Sequence, residues 1–215
     1  MIPGVGLKSI LKLLNAFGNL KHAWHASESQ LRHHNLEQSL VKRLVKHRTS
    51  IDLVAEMTKV TRIQATVYPF NDEHYPASLK EIDSAPMVLY VRGALLPDDN
   101  RALAIVGTRN ATKYGRDVAY DMAYALAQQD ITIISGMAHG IDSAAHAGAI
   151  DAGGRTIAVL GNGVDVAYPQ NHRDLGRTII QNGALVSEFS IETRPVGKNF
   201  PRRNRILSGM ALGVL

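Results

Sequence analysis

Apolar residues recur at helical spacing through the first part of the chain. The spacing extends over residues 7–17, at Leu7, Ile10, Leu11, Leu13, Leu14 and Phe17, and again over residues 36–47, at Leu36, Leu40, Val41, Leu44 and Val45. Such spacing places the apolar side chains on one side of an amphipathic helix. A third helix is predicted over residues 50–62. The pattern therefore predicts an all-helical N-terminal domain over residues 1–64.

From residue 65 the pattern changes to short apolar runs that alternate with helical stretches. The runs are rich in β-branched residues and lie at 87–91, 103–106, 131–134, 156–160 and 184–186. Such runs are typical of strands that are buried on both faces. The helical stretches cover residues 114–129, 141–152 and 171–181. The alternation predicts an α/β domain over residues 65–215, with a doubly wound, mostly parallel sheet and helices on both faces.

Glycine and polar residues follow three of the predicted strands. Gly107, Thr108 and Arg109 follow the strand at 103–106. The segment 135–142 follows the strand at 131–134, and the segment 161–165 follows the strand at 156–160. Ligands of doubly wound sheets bind outside the carboxyl ends of the strands. Glycines in such loops either form tight turns or let a ligand approach the backbone. Three such loops on one edge favour a cleft for an anionic ligand.

A basic segment lies near the end of the sequence, just before an apolar stretch. It consists of Phe200, Pro201, Arg202, Arg203, Asn204 and Arg205. Proline suits the first turn of a helix, so a helix is predicted from about residue 201. Free N–H groups in that turn would attract an anion. Arginine is unfavourable at this end of a helix dipole, so the cluster indicates either an anionic ligand or a solvated basic turn.

The net charge of +5 is concentrated in the N-terminal part. Residues 1–64 contain ten Lys or Arg and four Asp or Glu, whereas residues 65–215 contain fourteen and fifteen. The chain has no cysteine, which excludes disulfides and thiolate metal sites. Five of the nine histidines lie in residues 1–64 without a carboxylate frame, so no metal site is predicted. No apolar run reaches the roughly 20 residues of a membrane helix, which favours a cytoplasmic protein without a membrane partner.

Common nucleotide-binding and catalytic motifs are absent. Val166 stands where a dinucleotide fingerprint that begins at Gly161 needs its third glycine, and no Walker GKS or GKT occurs. Ser135 lacks a nucleophile-elbow sequence. Asp142 is interpreted as a cap or a brace for the helix that begins near residue 141, and His146 as a structural side chain. No cofactor and no catalytic residue are predicted.

A glycine turn precedes the first predicted helix. It comprises Pro3, Gly4, Val5 and Gly6. The turn is either an ordinary loop or resembles the hairpin of helix-hairpin-helix DNA-binding modules, in which glycine N–H groups face a phosphate. In the second case Lys8 or Lys12 would lie nearby.

Six sequence blocks in order resemble the DprA (Smf) DNA-processing family. They are VGTR at 106–109, ATKYG at 111–115, SGMAHGID at 135–142, AVLGNGVDVAYPQN at 158–171, SEF at 187–189 and FPRRNRILSG at 200–209. The resemblance extends over about residues 66–215. The N-terminal helices are similar to the sterile-alpha-motif-like or helix-hairpin-helix domain that often precedes this core. The resemblance implies an extended Rossmann-like fold that binds single-stranded DNA and loads the RecA recombinase in natural transformation. It implies no established catalytic activity.

The predicted DNA-binding residues combine the loops, the basic segment and the resemblance. They are Gly107, Thr108, Arg109, Ser135, Gly136, Lys198, Phe200, Arg202, Arg203 and Asn204. Arg109, Lys198 and an arginine of the cluster would pair with phosphates, supplemented by backbone amides. Phe200 would either stack on a base or anchor the loop in the core, and Asn204 would either touch DNA or brace the arginines. The alternative function is a nucleotide- or phosphosugar-binding enzyme or sensor on the same fold.

The family pattern continues beyond residue 215, with another strand that residues 213–215 would open. We therefore expect an exposed sheet edge, and with it reduced stability or a tendency to associate. Members of the family commonly form homodimers and contact RecA through an overlapping surface. The homodimer and the RecA contact are both expectations from the resemblance.

Overall fold

The structure is a computed structural model that describes residues 2 and 4–215. The chain divides into two compact units, Met1–Thr58 and Lys59–Leu215. The division expected after residue 64 stays a prediction. No helix in residues 2 and 4–215 has the length and apolar character needed to cross a membrane.

Four helices form the first unit as far as it is described. They are α1 (Leu7–Phe17), α2 (Leu20–His25), α3 (Glu28–His33) and α4 (Gln38–Arg48), and α5 (Leu53–Arg62) runs across the division. The core of the unit contains Leu13, Leu31 and Val41. The short helices α2 and α3 were not predicted. Their signals are caps: the Asn19 side chain accepts from the His22 N–H, and Ser27 and Gln30 form a capping box.

The predicted hairpin turn is described only in part, because Pro3 lies outside the described residues. Gly4 has a φ of +72°, and the Val5 N–H donates to the Ile2 carbonyl at 3.1 Å. Lys12 forms an ion pair with Glu37 at 2.5 Å. A role of this turn in DNA binding stays a prediction, as does its helix-hairpin-helix class.

The second unit is built on a seven-stranded sheet. The strands are β1 (Ala65–Pro69), β2 (Val88–Gly93), β3 (Ala102–Ala104), β4 (Thr132–Ser135), β5 (Thr156–Val159), β6 (Gly183–Ser187) and β7 (Gly213–Val214), in the order β1-β2-β6-β5-β4-β3-β7. β1 and β2 pair antiparallel, as do β2 and β6, and the other pairs are parallel. This confirms the mostly parallel sheet, including a strand at residues 213–214. β1 was not predicted.

Helices cover both faces of the sheet, as predicted. They are α6 (Ala77–Lys80), α7 (Lys113–Ala127), α8 (Ile141–Asp151), α9 (Arg173–Asn182) and α10 (Asn199–Met210). Successive strand side chains point to opposite faces. Ile133 therefore packs among the alanines of α7 and α8, whereas Ile134 packs with Ile206 of α10.

The order of the strands places a topological switch at β3. The chain passes from β3 to β4, β5 and β6 on one side, and α10 then returns it to β7 on the other side of β3. Crossover connections are almost always right-handed, so the reversal of direction accounts for α10 lying on the opposite face from α7 and α8. The carboxyl ends of β3 and β7 therefore flank the crevice where such sheets bind ligands.

Candidate functional site

A groove of about 840 Å³ opens at this switch point. Its wall combines the loop after β3, the start of α8, the loop before α10 and the first three turns of α10. The lining residues are Ala104, Val106, Gly107, Arg109, Ala138, Asp142, Tyr168, Pro195, Gly197, Phe200, Pro201, Arg203, Asn204, Arg205, Leu207, Ser208 and Val214. The groove brings together residues from four of the sequence blocks, at 106–109, 135–142, 158–171 and 200–209, which are distant along the chain.

Arg109 is the most accessible cation of the groove wall. Its guanidinium carbon lies 5.2 Å from the centre of the Phe200 ring, in a cation–π contact. Arg109 and Lys198 are both exposed, and neither forms an ion pair with a residue in the described part of the chain. Both positive charges therefore remain available to an anionic ligand.

Phe200 has one packed edge and contributes to the groove. A Cβ atom added to Gly161 would lie 2.9 Å from Cδ1 of Phe200, so this glycine leaves room for the ring. Tyr168 lies beside it, with the two ring centres 5.5 Å apart. Tyr168 was not among the predicted residues, although its block had been singled out. The Tyr168 side chain is 37% exposed, so two aromatic rings lie next to each other at an open surface.

Arg203 is buried beneath this surface and crosslinks three elements. It is 5% exposed, and its Nη1 donates to the carbonyls of Gly136, at 2.8 Å, and Val159. A Cβ atom at Gly136 would overlap the guanidinium, so a side chain there is incompatible with this position of Arg203. Both residues were predicted as DNA contacts. The structure buries both residues and engages the guanidinium with internal carbonyls, so a DNA contact by either residue stays a prediction.

Asp142 is the buried counter-charge of Arg203. Its carboxylate lies 3.7 Å from the guanidinium and accepts from the Ala138 N–H at 3.3 Å. Burial raises the pKa of Asp142, and the charge of Arg203 with the N–H groups of Ala138, Gly107 and Gly136 opposes that rise. Burial also lowers the pKa of Arg203. The loop amides after β3 and β4 thus face an internal carboxylate, so Asp142 braces these loops and Arg203. Its role as a cap or brace of α8 stays a prediction.

Two further sets of groups that were predicted to bind an anion already donate hydrogen bonds within the protein. Ser135 is fully buried, and its hydroxyl donates to the Ile105 carbonyl at 2.6 Å. In the first turn of α10, the N–H groups of Asn199 and Phe200 donate to Val196 and Gly197, and Pro201 has no N–H. The expected anion site of free backbone amides is therefore not formed, and Ser135 is not a surface contact. Any anion in the groove would be bound mainly by side chains.

Glu188 holds two arginines of the basic segment in place. This carboxylate is 3% exposed, and its Oε2 accepts from Arg202 at 3.0 Å and from Arg205 at 2.6 Å. Asn204 is exposed on the groove, and its Oδ1 accepts from Nε of Arg203 at 3.2 Å. Two guanidinium groups share one carboxylate, so this side of the groove keeps a net positive charge. Asn204 does brace an arginine, as one of the two interpretations proposed.

Gly107 and Thr108 lie exposed in the loop after β3. The Thr108 hydroxyl accepts from the Asn110 N–H at 3.2 Å, which shapes the turn that carries Arg109. Among the residues that the structure describes, no group of three or more His, Asp and Glu is arranged to hold a metal ion.

His146 is a fully buried histidine on α8 below the groove. The Thr156 hydroxyl donates to the Ile133 carbonyl, so Nδ1–H of His146 donates to the Thr156 oxygen at 2.7 Å. Burial, with smaller electrostatic effects of Arg203 and His172, lowers the pKa of His146 from 6.5 to about 3. The neutral imidazole is therefore the folded form.

This burial predicts a pH-dependent stability. Between pH 6.5 and about 3 the unfolded chain binds a proton at His146 that the folded chain does not. The contribution to the free energy of unfolding is therefore complete above pH 6.5 and declines by roughly 1.4 kcal/mol per pH unit below it. Urea unfolding of the wild type and of His146→Asn, which can keep the donor without titrating, measures the difference. Equal pH dependence in both proteins would contradict the assignment.

Known proteins share this architecture. A family model described as DNA recombination-mediator protein A matches residues 66–215. The chain belongs to this family. The matched residues comprise nearly all of the second unit, including every residue that lines the groove.

Individual relatives and solved structures agree with the family. Protein Smf of Synechocystis sp. is 33% identical over 219 residues, which cover 100% of this chain and 55% of that protein. The chain spans about half or less of the length of the curated relatives that it matches first. DNA processing protein A of Streptococcus pneumoniae superposes with a TM-score of 0.81 at 30% identity, over 98% of this chain and 72% of that one.

A second solved structure concerns DNA recognition. It is DNA processing protein A of Helicobacter pylori, described for its single-stranded DNA binding mode. It superposes with a TM-score of 0.63 at 29% identity, over 72% of this chain and 69% of that one. The extended Rossmann-like fold implied by the sequence blocks is thus confirmed, and the chain is a member of a DNA-processing and recombination-mediator family.

Proposed function

We propose that this chain binds single-stranded DNA in the groove at the switch point. The observation that carries the proposal is the exposed Arg109, which has no ion-pair partner among the described residues and lies over the Phe200 ring at an open groove. A free guanidinium beside an aromatic ring offers both a phosphate contact and a stacking surface. The Helicobacter pylori neighbour, described as binding single-stranded DNA, supports the same ligand.

Phosphates and bases would be bound by different side chains. Arg109 and Lys198 supply full positive charges, and Arg202 supplies a charge that Glu188 partly offsets at 3.0 Å. The rings of Phe200 and Tyr168 supply a stacking surface. Stacking on a ring contributes roughly 1–3 kcal/mol per base and tolerates any sequence. This division suits a protein that accepts single strands irrespective of their sequence.

The remaining predicted residues support the surface in this proposal. Arg203, Gly136 and Ser135 hold the loops after β4 and β3 against α10 from within. Gly107, Thr108 and Asn204 line or shape the groove, with the Asn204 amide nitrogen free to contact a base or phosphate. We therefore assign the direct contacts to Arg109, Lys198, Phe200, Arg202 and Tyr168.

The family resemblance extends the proposal to the loading of RecA on the bound strand and to a homodimer. A protein of this kind acts by binding and presenting DNA, without catalysis of its own. Binding that exposes the strand's other side would leave room for a second protein on the same DNA. Titration of RecA onto DNA covered by a single-strand-binding protein, with and without this chain, tests the loading step.

Binding of a labelled oligo-dT, followed by fluorescence anisotropy across a salt series, tests the DNA contact. We expect affinity to fall as salt rises, and Arg109→Gln to reduce the slope of log K against log salt by about 0.7, the value for one phosphate contact on a single strand. Arg101→Gln is the matched control, because this exposed arginine lies before β3, at the opposite end of the strand. An unchanged slope in Arg109→Gln would overturn the contact, and displacement by a mononucleotide would favour a nucleotide sensor or enzyme.

A further inference from the structure

A second basic recess lies beside α9. It is a cleft of about 200 Å³ whose wall includes Arg92 of β2, His172, Arg173 and Arg177. Its apolar floor contains Met137 and Leu185, which belong to the core beneath α9, whereas the groove contains Leu207 of the core beneath α10. The cleft therefore lies on the α9 face of the sheet, whereas the main groove opens at the carboxyl edge of the sheet against α10.

The charges of this cleft are not balanced by the protein. Asp165 is the lining carboxylate, and both of its oxygens accept from the Glu192 N–H, at 3.0 and 3.1 Å. Arg177 pairs with Asp174 at 3.0 Å. Arg92 and Arg173 have no hydrogen bond or ion pair from their guanidinium groups to any residue in the described chain. Arg92 is half-buried in the wall of the cleft, and Arg173 is exposed.

A continuous surface joins the cleft to the groove. A shelf of about 550 Å³ shares Arg109, Tyr168 and Phe200 with the groove and extends over Pro169, Gln170 and His139. The ring of His139 contacts that of His172, with the centres 4.7 Å apart, and His172 lines the cleft. His172 is fixed there because its Nδ1–H donates to the Met137 carbonyl at 3.0 Å.

We propose that Arg92 and Arg173 form a second phosphate-binding subsite in this cleft. Guanidinium groups bind phosphate oxygens through paired, charge-assisted hydrogen bonds, and such a ligand supplies the partners that both residues lack. The recess is large enough for a phosphate group and one sugar. The phosphate comes either from a strand that leaves the main groove along the shelf, which rests on the proposed function, or from a small nucleotide.

The two sources are separated by the length of the ligand. We compare a short and a long oligo-dT, of about 6 and about 20 nucleotides, together with thymidine monophosphate and inorganic phosphate; OB folds bind roughly 4–16 nucleotides each. The proteins are the wild type, the double variant Arg92→Gln with Arg173→Gln, and Arg101→Gln as the control. Thermal unfolding of each protein checks that the fold is retained.

A strand path predicts that the double variant binds the long oligonucleotide about tenfold more weakly at low salt, with the salt slope reduced by about 1.4 and the short one unaffected. A small-nucleotide site predicts that thymidine monophosphate or phosphate binding is lost instead. Phosphate binding that persists in a wild type unable to bind either oligonucleotide would overturn the proposed function and leave the subsite intact. A double variant identical to Arg101→Gln with all four ligands would overturn the subsite.

Discussion

Replacing Arg203 by methionine is expected to lower the free energy of unfolding by about 3–5 kcal/mol, because it leaves the buried carboxylate of Asp142 without its counter-charge. The two groups lie 3.7 Å apart, and the exposed fractions of both residues are 5% or less. The carbonyls of Gly136 and Val159 would lose their donor in the same substitution. Urea unfolding at neutral pH measures the loss.

Two control variants separate charge from packing. Adding Asp142→Asn to Arg203→Met removes the uncompensated charge, so the double variant should recover part of the stability. Arg203→Lys keeps a charge but cannot reach two carbonyls with a planar group, so its loss should be intermediate. An Arg203→Met protein within about 1 kcal/mol of the wild type would show that Arg203 is not a structural crosslink.

The same crosslink couples Gly136 to Arg203. A methyl group at residue 136 would overlap the guanidinium, so Gly136→Ala should displace Arg203 and destabilise the wild type. In the Arg203→Ala background the guanidinium is gone, and the added cost of Gly136→Ala should be small. Such a difference between the two backgrounds is the signature of direct contact.

The alternation of strands and helices was readable from the sequence because burial on both faces leaves uninterrupted apolar runs. The predicted strand at 156–160, for example, is β5 at Thr156–Val159. β1 (Ala65–Pro69) was not predicted because it is a partly exposed, antiparallel strand at the edge of the sheet, and its sequence is not a continuous apolar run. α2 and α3 were not predicted because six-residue helices are too short to show a helical period, and their side-chain caps determine where they begin.

The sequence predicted the location of the groove, but only some of the roles of the residues around it. Strand ends predicted the edge of the sheet at which the groove lies, because topology determines where the loops meet. Residue type could not separate Arg109 from Arg203, since a guanidinium serves a surface ligand or an internal carbonyl equally well. The orientation of a helix decides which role an arginine takes. On α10, for example, Arg203 points into the sheet toward Gly136, whereas its neighbour Arg202 points outward. Tyr168 was missed because its proximity to Phe200 requires the tertiary fold.

Phe200→Ala is expected to weaken oligo-dT binding by roughly 1–3 kcal/mol, the value of one base stacked on an aromatic ring. It also removes the ring that lies 5.2 Å from the guanidinium of Arg109, the residue that we propose as a phosphate contact. Fluorescence anisotropy at constant salt measures the loss, and thermal unfolding shows whether the fold is kept.

Phe200→Leu distinguishes stacking from anchoring. Leucine can fill the space beside Gly161, where the ring now packs, but it has no π surface for a base or for Arg109. If Phe200 stacks, the leucine variant should be nearly as stable as the wild type and bind DNA about as weakly as the alanine variant, whereas Phe200→Tyr should keep most of the affinity. A leucine variant with full affinity would instead make Phe200 an anchor for the start of α10, and the stacking surface would then be assigned to Tyr168 alone.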